Sequence, residues 1–108
     1  MPYAATATLP EPAVEAVQAL KGWVLLEFGT DWCPHCLGAQ EDLRTALAPL
    51  DGIQHLKIED GPGRRLGRFF RVKLWPTLVL LKDGEEVARA VRPHGAAAVQ
   101  AVLDVTTG

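Results

Sequence analysis

Short apolar runs alternate with amphipathic segments along this chain, and this alternation constrains its fold more than any other feature. The runs have the length and the flanking turn residues of buried strands. Four strands are predicted in this way: Trp23–Phe28, Ile53–Ile58, Thr77–Leu81 and Glu85–Val91. The last two flank Asp83-Gly84, which is a strong hairpin signal, so we expect them to pair antiparallel. Residues 1–9 are ambiguous and form at most a weak fifth strand.

Four further segments carry apolar residues at helical spacing. The predicted helices are residues 11–20, Pro34 to about Leu50, Arg64 to about Arg71, and Gly95 to about Val105. Pro34 suits a first helical position, where its missing N–H is not needed. The order of these elements predicts an α/β fold, with a central mixed sheet of four or five strands and helices on both faces. At 108 residues the chain should form a single domain, residues 1–108.

Charge and hydropathy argue against several classes of function. The formal net charge is −2, whereas a nucleic-acid-binding domain is normally basic. The apolar runs are far shorter than the ~18 residues that a membrane span needs. Glu11 and Glu15, together with Pro10 and Pro12, interrupt the region where a secretory signal would be apolar. We therefore expect a cytoplasmic protein without nucleic-acid or membrane partners, and nothing in the sequence requires more than a monomer.

The only two cysteines, Cys33 and Cys36, lie in the sequence WCPHC. A disulfide between them would close so small a loop that it removes little entropy from the unfolded chain, so a structural bridge is not favoured. In an intracellular protein this spacing indicates redox chemistry or a metal site instead. Tetrahedral zinc would need histidines or a second chain as further ligands. Pro34 at the helix start favours the redox geometry, and we expect neither a metal nor a cofactor.

Cys33 is predicted at the first turn of a helix, where unpaired backbone N–H groups and the helix dipole favour a thiolate. His35 can add a positive charge or a hydrogen-bond donor, so Cys33 is the predicted nucleophile. Cys36, one turn deeper, can then attack the mixed disulfide and release the product. Glu27 is the anomaly of an apolar strand. If it is buried, it is a candidate to exchange a proton with Cys36 through a water; on an edge strand it would point outward.

Two sequence motifs and the spacing between them make the chain similar to the thioredoxin superfamily over residues 23–103. EFGTDWCPHC resembles the family's strand, buried acid and WCxxC loop, and LWPTLVLLKDGEEV resembles its cis-proline, strand and hairpin. The resemblance implies a thioredoxin fold. It also implies that Cys33 is the attacking thiol, Cys36 the resolving thiol and Glu27 the buried acid.

The loop Trp75-Pro76-Thr77 and the side chain of Trp32 form the predicted substrate surface. The resemblance implies a cis peptide bond before Pro76, which faces the cysteines, and main-chain groups of Trp75 that pair with an extended substrate peptide. Trp32 and Trp75 flank the reactive residues, and exposed aromatic side chains often mark peptide contacts. Both could instead be core residues.

The inner dipeptide Pro34-His35 resembles the oxidising DsbA branch of the family, whereas thioredoxin itself carries Gly-Pro. Stabilising the Cys33 thiolate stabilises the dithiol form, so we expect a protein disulfide oxidoreductase that is less reducing than a Gly-Pro relative. Its partners would be protein disulfide and dithiol substrates, and a reductase or another thiol that recycles it. The alternative is a redox-sensing or partner-binding module with little turnover. His55 and His94 could line the groove or bind a metal, but we expect both to be isolated surface histidines.

Overall fold

The computed structural model describes residues 2–107, in which strands and helices alternate as the sequence predicts. The strands are β1 Trp23–Gly29, β2 Ile53–Glu59, β3 Thr77–Lys82 and β4 Glu85–Val91. The helices are α1 Val14–Gln18, α2 Pro34–Leu47, α3 Arg65–Phe69 and α4 Ala96–Leu103, and a short 3-10 helix follows at Asp104–Thr106.

The strands form one mixed sheet in the order β2-β1-β3-β4. β1 pairs parallel with β2 and antiparallel with β3, and β3 pairs antiparallel with β4 across the turn Asp83-Gly84. β1 therefore lies inside the sheet, and residues 24–29 are all buried. The predicted fold class is confirmed, with four strands rather than five.

Two apolar clusters cover the two faces of this sheet. Because alternate strand residues point to opposite faces, β1 supplies Leu25 to one cluster and Val24 and Leu26 to the other. Helices α2 and α4 pack on the Leu25 face, and α1 and α3 pack on the opposite face. This burial on both sides explains the continuous apolar run of β1. The same burial holds the end of β1 in place. From this end the chain passes into the loop that contains Cys33.

Two predicted helices differ from their expected bounds for identifiable reasons. Helix α1 begins at Val14 rather than at residue 11, because Ala13 is extended (ψ 152°). The side chain of Glu11 instead accepts a hydrogen bond of 2.9 Å from the backbone N–H of Leu66 at the start of α3. Helix α2 ends at Leu47 rather than at about residue 50, because Pro49 cannot donate the next helical hydrogen bond.

Residues 3–9 do not add a fifth strand. Ala7 forms a single parallel bridge with Lys57, and the N–H of Thr8 donates to the carbonyl oxygen of Lys57 at 2.9 Å. Side chains hold the rest of the segment: the hydroxyl of Tyr3 donates to Oε1 of Gln40 at 2.6 Å. The part of the weak strand candidate at residue 1 lies outside the described residues. Within residues 2–107, every helix is too short or too polar to cross a membrane.

Candidate active site

The residues CPHC form the start of helix α2. Cys33 is the N-cap residue, with an extended backbone (φ −77°, ψ 120°), and Pro34 occupies the first helical position. Proline has no N–H, so His35 and Cys36 supply the first free donors of the helix. The N–H of Cys36 lies 3.4 Å from Sγ of Cys33. Both cysteines are free thiols and both are buried, so the predicted position of Cys33 is confirmed.

The surroundings lower the pKa of Cys33 below its ordinary value. Burial is the largest influence and raises the pKa. Hydrogen bonds from the thiol and the N–H of Cys36 and from the N–H of His35, together with the positive charge of Arg92, outweigh it. The imidazole of His35 is exposed and packs edge-on against His94, with 6.2 Å between the ring centroids. His35 therefore acts on Cys33 through its backbone, and Arg92 supplies the positive charge that was predicted for the imidazole.

Arg92 follows β4 and binds the loop that contains Trp75 and Pro76. Its backbone N–H donates to the carbonyl oxygen of Pro76 at 2.7 Å, and its Nε donates to the carbonyl oxygen of Trp75 at 2.8 Å. Pro76 is buried, and the peptide bond between Trp75 and Pro76 is cis, as the resemblance implies. Arg92 thus holds this loop at the site while its charge acts on Cys33.

The same site raises the pKa of Cys36 to about 12. Burial is the largest cause, followed by the hydrogen bond to Cys33 and by the negative charges of Cys33 and Glu27. A hydrogen bond from the backbone of Thr30 has the opposite effect. Gly29 allows the close packing, because a Cβ at this position would lie 2.4 Å from Sγ of Cys36. The two thiols therefore differ in acidity: Cys33 ionises readily, whereas Cys36 holds its proton at neutral pH.

Glu27 is buried, with 2% of its surface exposed. Its Oε1 lies 2.9 Å from Nε2 of His55, and its Oε2 accepts a hydrogen bond of 2.7 Å from Nε2 of Gln40. The Nζ of Lys57 lies 4.0 Å from Oε2. The burial of Glu27 is confirmed, and the outward-pointing alternative is wrong. The prediction that His55 is a surface histidine is also wrong, because His55 is 4% exposed and faces the carboxylate from β2.

A cavity of about 500 Å³ lies between the N-terminal segment and α2. Its wall includes Cys36, Glu27, Gln40 and Lys57, so it connects the resolving thiol with the buried acid. Oγ1 of Thr30, a further wall residue, is a buried side-chain atom without a hydrogen-bond partner in the described part of the chain. A cavity of this size with several polar groups in its wall has room for water. The geometry is therefore compatible with the predicted route for a proton from Cys36 to Glu27.

The predicted substrate residues lie around the cysteines, but the side chains of two of them, Pro76 and Thr77, are buried. Trp32 is 69% exposed, and its ring packs edge-on against Trp75 with 5.8 Å between the centroids. Trp75 is half-buried, and its indole N–H donates to Oδ2 of Asp60 at 2.9 Å. Thr77 is only 1% exposed, and its hydroxyl donates to the carbonyl oxygen of Leu74 at 2.6 Å. The Thr77 side chain therefore supports the loop from inside.

A zinc site at the cysteines would need histidine or acidic ligands beside them. Across residues 2–107, no three side chains of His, Cys, Asp or Glu are grouped closely enough to hold a metal ion. The neighbouring imidazoles have other contacts, since His35 faces His94 and His55 faces Glu27.

Three residues of the site, His55, Gln40 and Arg92, were not predicted. A signal for His55 was present, because it and Lys57 are polar residues two positions apart in a strand that also carries Ile53, Leu56 and Ile58. Such spacing places both side chains on one face of β2. Gln40 and Arg92 carry no comparable signal, since polar residues at those positions are equally typical of a solvated surface.

Comparisons with known proteins agree with this geometry. The sequence model of the family described as Thioredoxin matches residues 9–105. The chain is 36% identical over 70 residues to a thioredoxin from Chlamydia trachomatis, which covers 65% of this chain and 69% of that protein. Among solved structures, it is similar to thioredoxin 2 from Pseudomonas aeruginosa PAO1 in its reduced form, with 49% identity and a TM-score of 0.83 over 95% of this chain and 96% of that one. It also resembles a mutant thioredoxin from Halobacterium salinarum, with 28% identity and a TM-score of 0.74 over 91% and 88% of the two chains.

Proposed function

Because this chain belongs to the thioredoxin family, we propose that it exchanges disulfides with protein substrates through Cys33 and Cys36. The observation that supports this most directly is the opposite effect of the site on the two thiols. The pKa of Cys33 is lowered by hydrogen bonds and a nearby charge that outweigh burial, whereas burial and neighbouring charges raise the pKa of Cys36 to about 12. Disulfide exchange needs one thiol that attacks the substrate first and a second thiol that attacks the resulting mixed disulfide. A Cys33 that ionises readily and a Cys36 that stays protonated suit this order.

In the first step the Cys33 thiolate attacks one sulfur of a substrate disulfide. A mixed disulfide forms, and the other substrate sulfur leaves as a thiolate. In the second step Cys36 gives up its proton and attacks Sγ of Cys33, which closes the Cys33–Cys36 disulfide and releases the second substrate sulfur. The substrate gains two electrons and the protein loses two. The reverse sequence oxidises a substrate dithiol.

Protein substrates would dock on the apolar surface beside Cys33. Trp32, Leu74 and Val91 are 69%, 45% and 51% exposed, and large exposed apolar side chains often mark protein contacts. We assign Pro76 and the backbone of Trp75 to the extended substrate chain, and Thr77 to the support of that loop. Pro34 fixes the start of the helix, and His35 donates its N–H to Cys33.

The dipeptide Pro34-His35 favours a reduction potential for the Cys33–Cys36 pair that is less reducing than that of a Gly-Pro relative. Every contact that stabilises the Cys33 thiolate stabilises the dithiol form, and about 1.4 kcal/mol of such stabilisation raises the potential by about 30 mV. We further propose that a reductase or another thiol partner recycles the protein, and that it works in the cytoplasm as a monomer.

Equilibration with glutathione redox buffers, followed by tryptophan fluorescence, tests the redox pair and gives its potential. Turnover is measured with insulin as the disulfide protein and dithiothreitol as the reductant. Cys33→Ser should abolish turnover, and Cys36→Ser should trap mixed disulfides. A reversible transition with turnover supports the proposal. A transition without turnover supports a redox sensor instead, and the absence of a two-electron transition would refute both.

A further inference from the structure

The carboxylate of Glu27 is held by hydrogen-bond donors on both oxygens. His55 Nε2 lies 2.9 Å from Oε1, and Gln40 Nε2 donates to Oε2 at 2.7 Å. Each carboxylate oxygen has two lone pairs, so both contacts leave a site at which the group can accept a proton. The two donors therefore fix the position of the carboxylate and leave it able to act as an acceptor.

The protonation of His55 follows from its second contact. The backbone N–H of Ala4 donates to Nδ1 of His55 at 2.8 Å, so Nδ1 is an acceptor and carries no proton. The imidazole proton is therefore on Nε2 and points at Glu27. A second proton on Nδ1 would face the N–H of Ala4, donor against donor. The contact with the N-terminal segment thus fixes Nε2 of His55 as a donor to the carboxylate.

The orientation of the Gln40 amide follows in the same way. Its oxygen accepts from the hydroxyl of Tyr3 at 2.6 Å and from Nζ of Lys57 at 2.7 Å. The amide nitrogen must then be the atom that lies 2.7 Å from Oε2 of Glu27 and 2.7 Å from the carbonyl oxygen of Cys36. Gln40 therefore links the buried acid directly to the backbone of the resolving cysteine.

We propose that His55 and Gln40 are positioning residues for proton transfer from Cys36 to Glu27, because they hold the carboxylate beside the cavity that reaches Cys36. This inference rests on the proposed thiol–disulfide exchange. During the second step the proton of the Cys36 thiol moves to Glu27 through a water in the cavity. The Cys36 thiolate then bonds to Sγ of Cys33, the bond from Cys33 to the substrate sulfur breaks, and that sulfur leaves as a thiolate. Glu27 returns the proton to solvent along the same cavity.

Two substitutions at His55 separate its contacts. The amide nitrogen of Gln occupies about the place of Nε2, so His55→Gln keeps the donor to Glu27. The shorter side chain of His55→Asn reaches only the place of Nδ1, so it can still accept from Ala4 but no longer donates to the carboxylate. A structural role would make the two variants alike, whereas a positioning role makes only the second one slow.

Stopped-flow reaction of the reduced protein with 5,5'-dithiobis(2-nitrobenzoate) resolves the two chemical steps. The first release of thionitrobenzoate reports attack by Cys33, and the second reports attack by Cys36 on the mixed disulfide. We expect His55→Asn to slow the second phase about tenfold, a part of the ~10²–10⁴-fold effect of a positioned base. The first phase should change by less than about twofold, and His55→Gln should stay within about threefold of the unmodified protein in both phases.

The outcomes separate this inference from the proposed function. If the unmodified protein shows no second phase, the proposed function fails. Equal second phases in His55→Asn and His55→Gln, or a difference that persists when Glu27→Gln is added, overturn the role of His55. Thermal melting checks that each variant folds. Should the His55 variants not fold, Gln40→Met removes the other donor at a half-buried position of α2, and an unchanged second phase in that variant overturns the inference.

Discussion

Iodoacetamide should label Cys33 almost alone in the reduced protein at neutral pH, although the two thiols are about equally buried. The exposed fractions are 4% for Cys33 and 3% for Cys36, so the two residues expose nearly the same fraction of their surface. Their pKa values differ: that of Cys33 is lowered from the ordinary value of a thiol, whereas that of Cys36 is raised to about 12. Only a thiolate reacts with the reagent, so the label reports which sulfur is ionised.

The size of the selectivity follows from two opposing effects. A thiol with the ordinary pKa of 9.0 would already be ionised ~10³ times more than one with a pKa of about 12 at neutral pH, and the pKa of Cys33 is lowered from that ordinary value. The thiolate of higher pKa is the better nucleophile, and a Brønsted coefficient of about 0.4–0.5 favours Cys36 by about 15- to 30-fold. Protonation outweighs nucleophilicity, and we expect Cys33 to react at least about 30-fold faster.

Peptide mapping by mass spectrometry after limited labelling measures this ratio. In Cys36→Ala, Cys33 keeps its backbone donors but loses the thiol donor, so the pH midpoint of its labelling should move upward. In Cys33→Ser, Cys36 loses the neighbouring thiolate but stays buried, so its labelling should remain slow at neutral pH. Equal labelling of the two cysteines in the unmodified protein would refute the assignment of nucleophile and resolving thiol. A labelling midpoint for Cys33 that is not lower than that of an ordinary thiol would do the same.

Three further predictions concern packing, docking and protons. Gly29→Ala should lower the free energy of unfolding of the reduced protein by about 1–3 kcal/mol, because its Cβ would lie 2.4 Å from Sγ of Cys36. Gly38→Ala, in open space on α2, should raise it by about 0.5–1 kcal/mol, and urea unfolding with the same sign for both would contradict the packing at Gly29. Trp32→Ala should slow reduction of insulin more than reduction of a small disulfide; equal slowing would exclude Trp32 from protein docking. The reduction potential should fall by about 59 mV per pH unit below the pKa of Cys33 and by about 30 mV above it, because the dithiol then carries one proton fewer; a change of slope at or above the pH expected for an ordinary thiol would contradict the lowered pKa.

Most of the fold could be predicted because its signals are local. Each strand begins at the predicted residue, and β4 has the predicted bounds at both ends. Buried runs and the Asp83-Gly84 turn are properties of neighbouring residues, so a sequence pattern is enough to find them. The helix ends were less predictable, because distant contacts decide them. Glu11, for example, leaves α1 to bind the N–H of Leu66, far along the chain.

The cysteines, the buried acid and the cis-proline were predicted for a similar reason, since each belongs to a short motif. The partners of Glu27 depend instead on the register of two parallel strands. In that register Lys57 lies opposite Glu27, and His55 lies opposite Leu25. Because alternate residues share a face, both polar side chains of β2 then point to the side of Glu27. A shift of one residue would have sent them to the other face, and no local pattern fixes that choice.

The role of Arg92 depends on how it is held. Its N–H and Nε are bonded to the carbonyl oxygens of Pro76 and Trp75, and its φ of 46° lies in the left-handed region that non-glycine residues seldom adopt. These contacts do not involve the sulfur of Cys33, so they hold the guanidinium in place whether Cys33 is a thiolate, a thiol or part of a disulfide. A charge fixed in advance stabilises a developing thiolate without reorganisation during the reaction. The same logic applies to Glu27, which His55 and Gln40 hold through contacts that do not involve Cys36 Sγ, so that both proton-dependent steps rely on groups positioned by the fold itself.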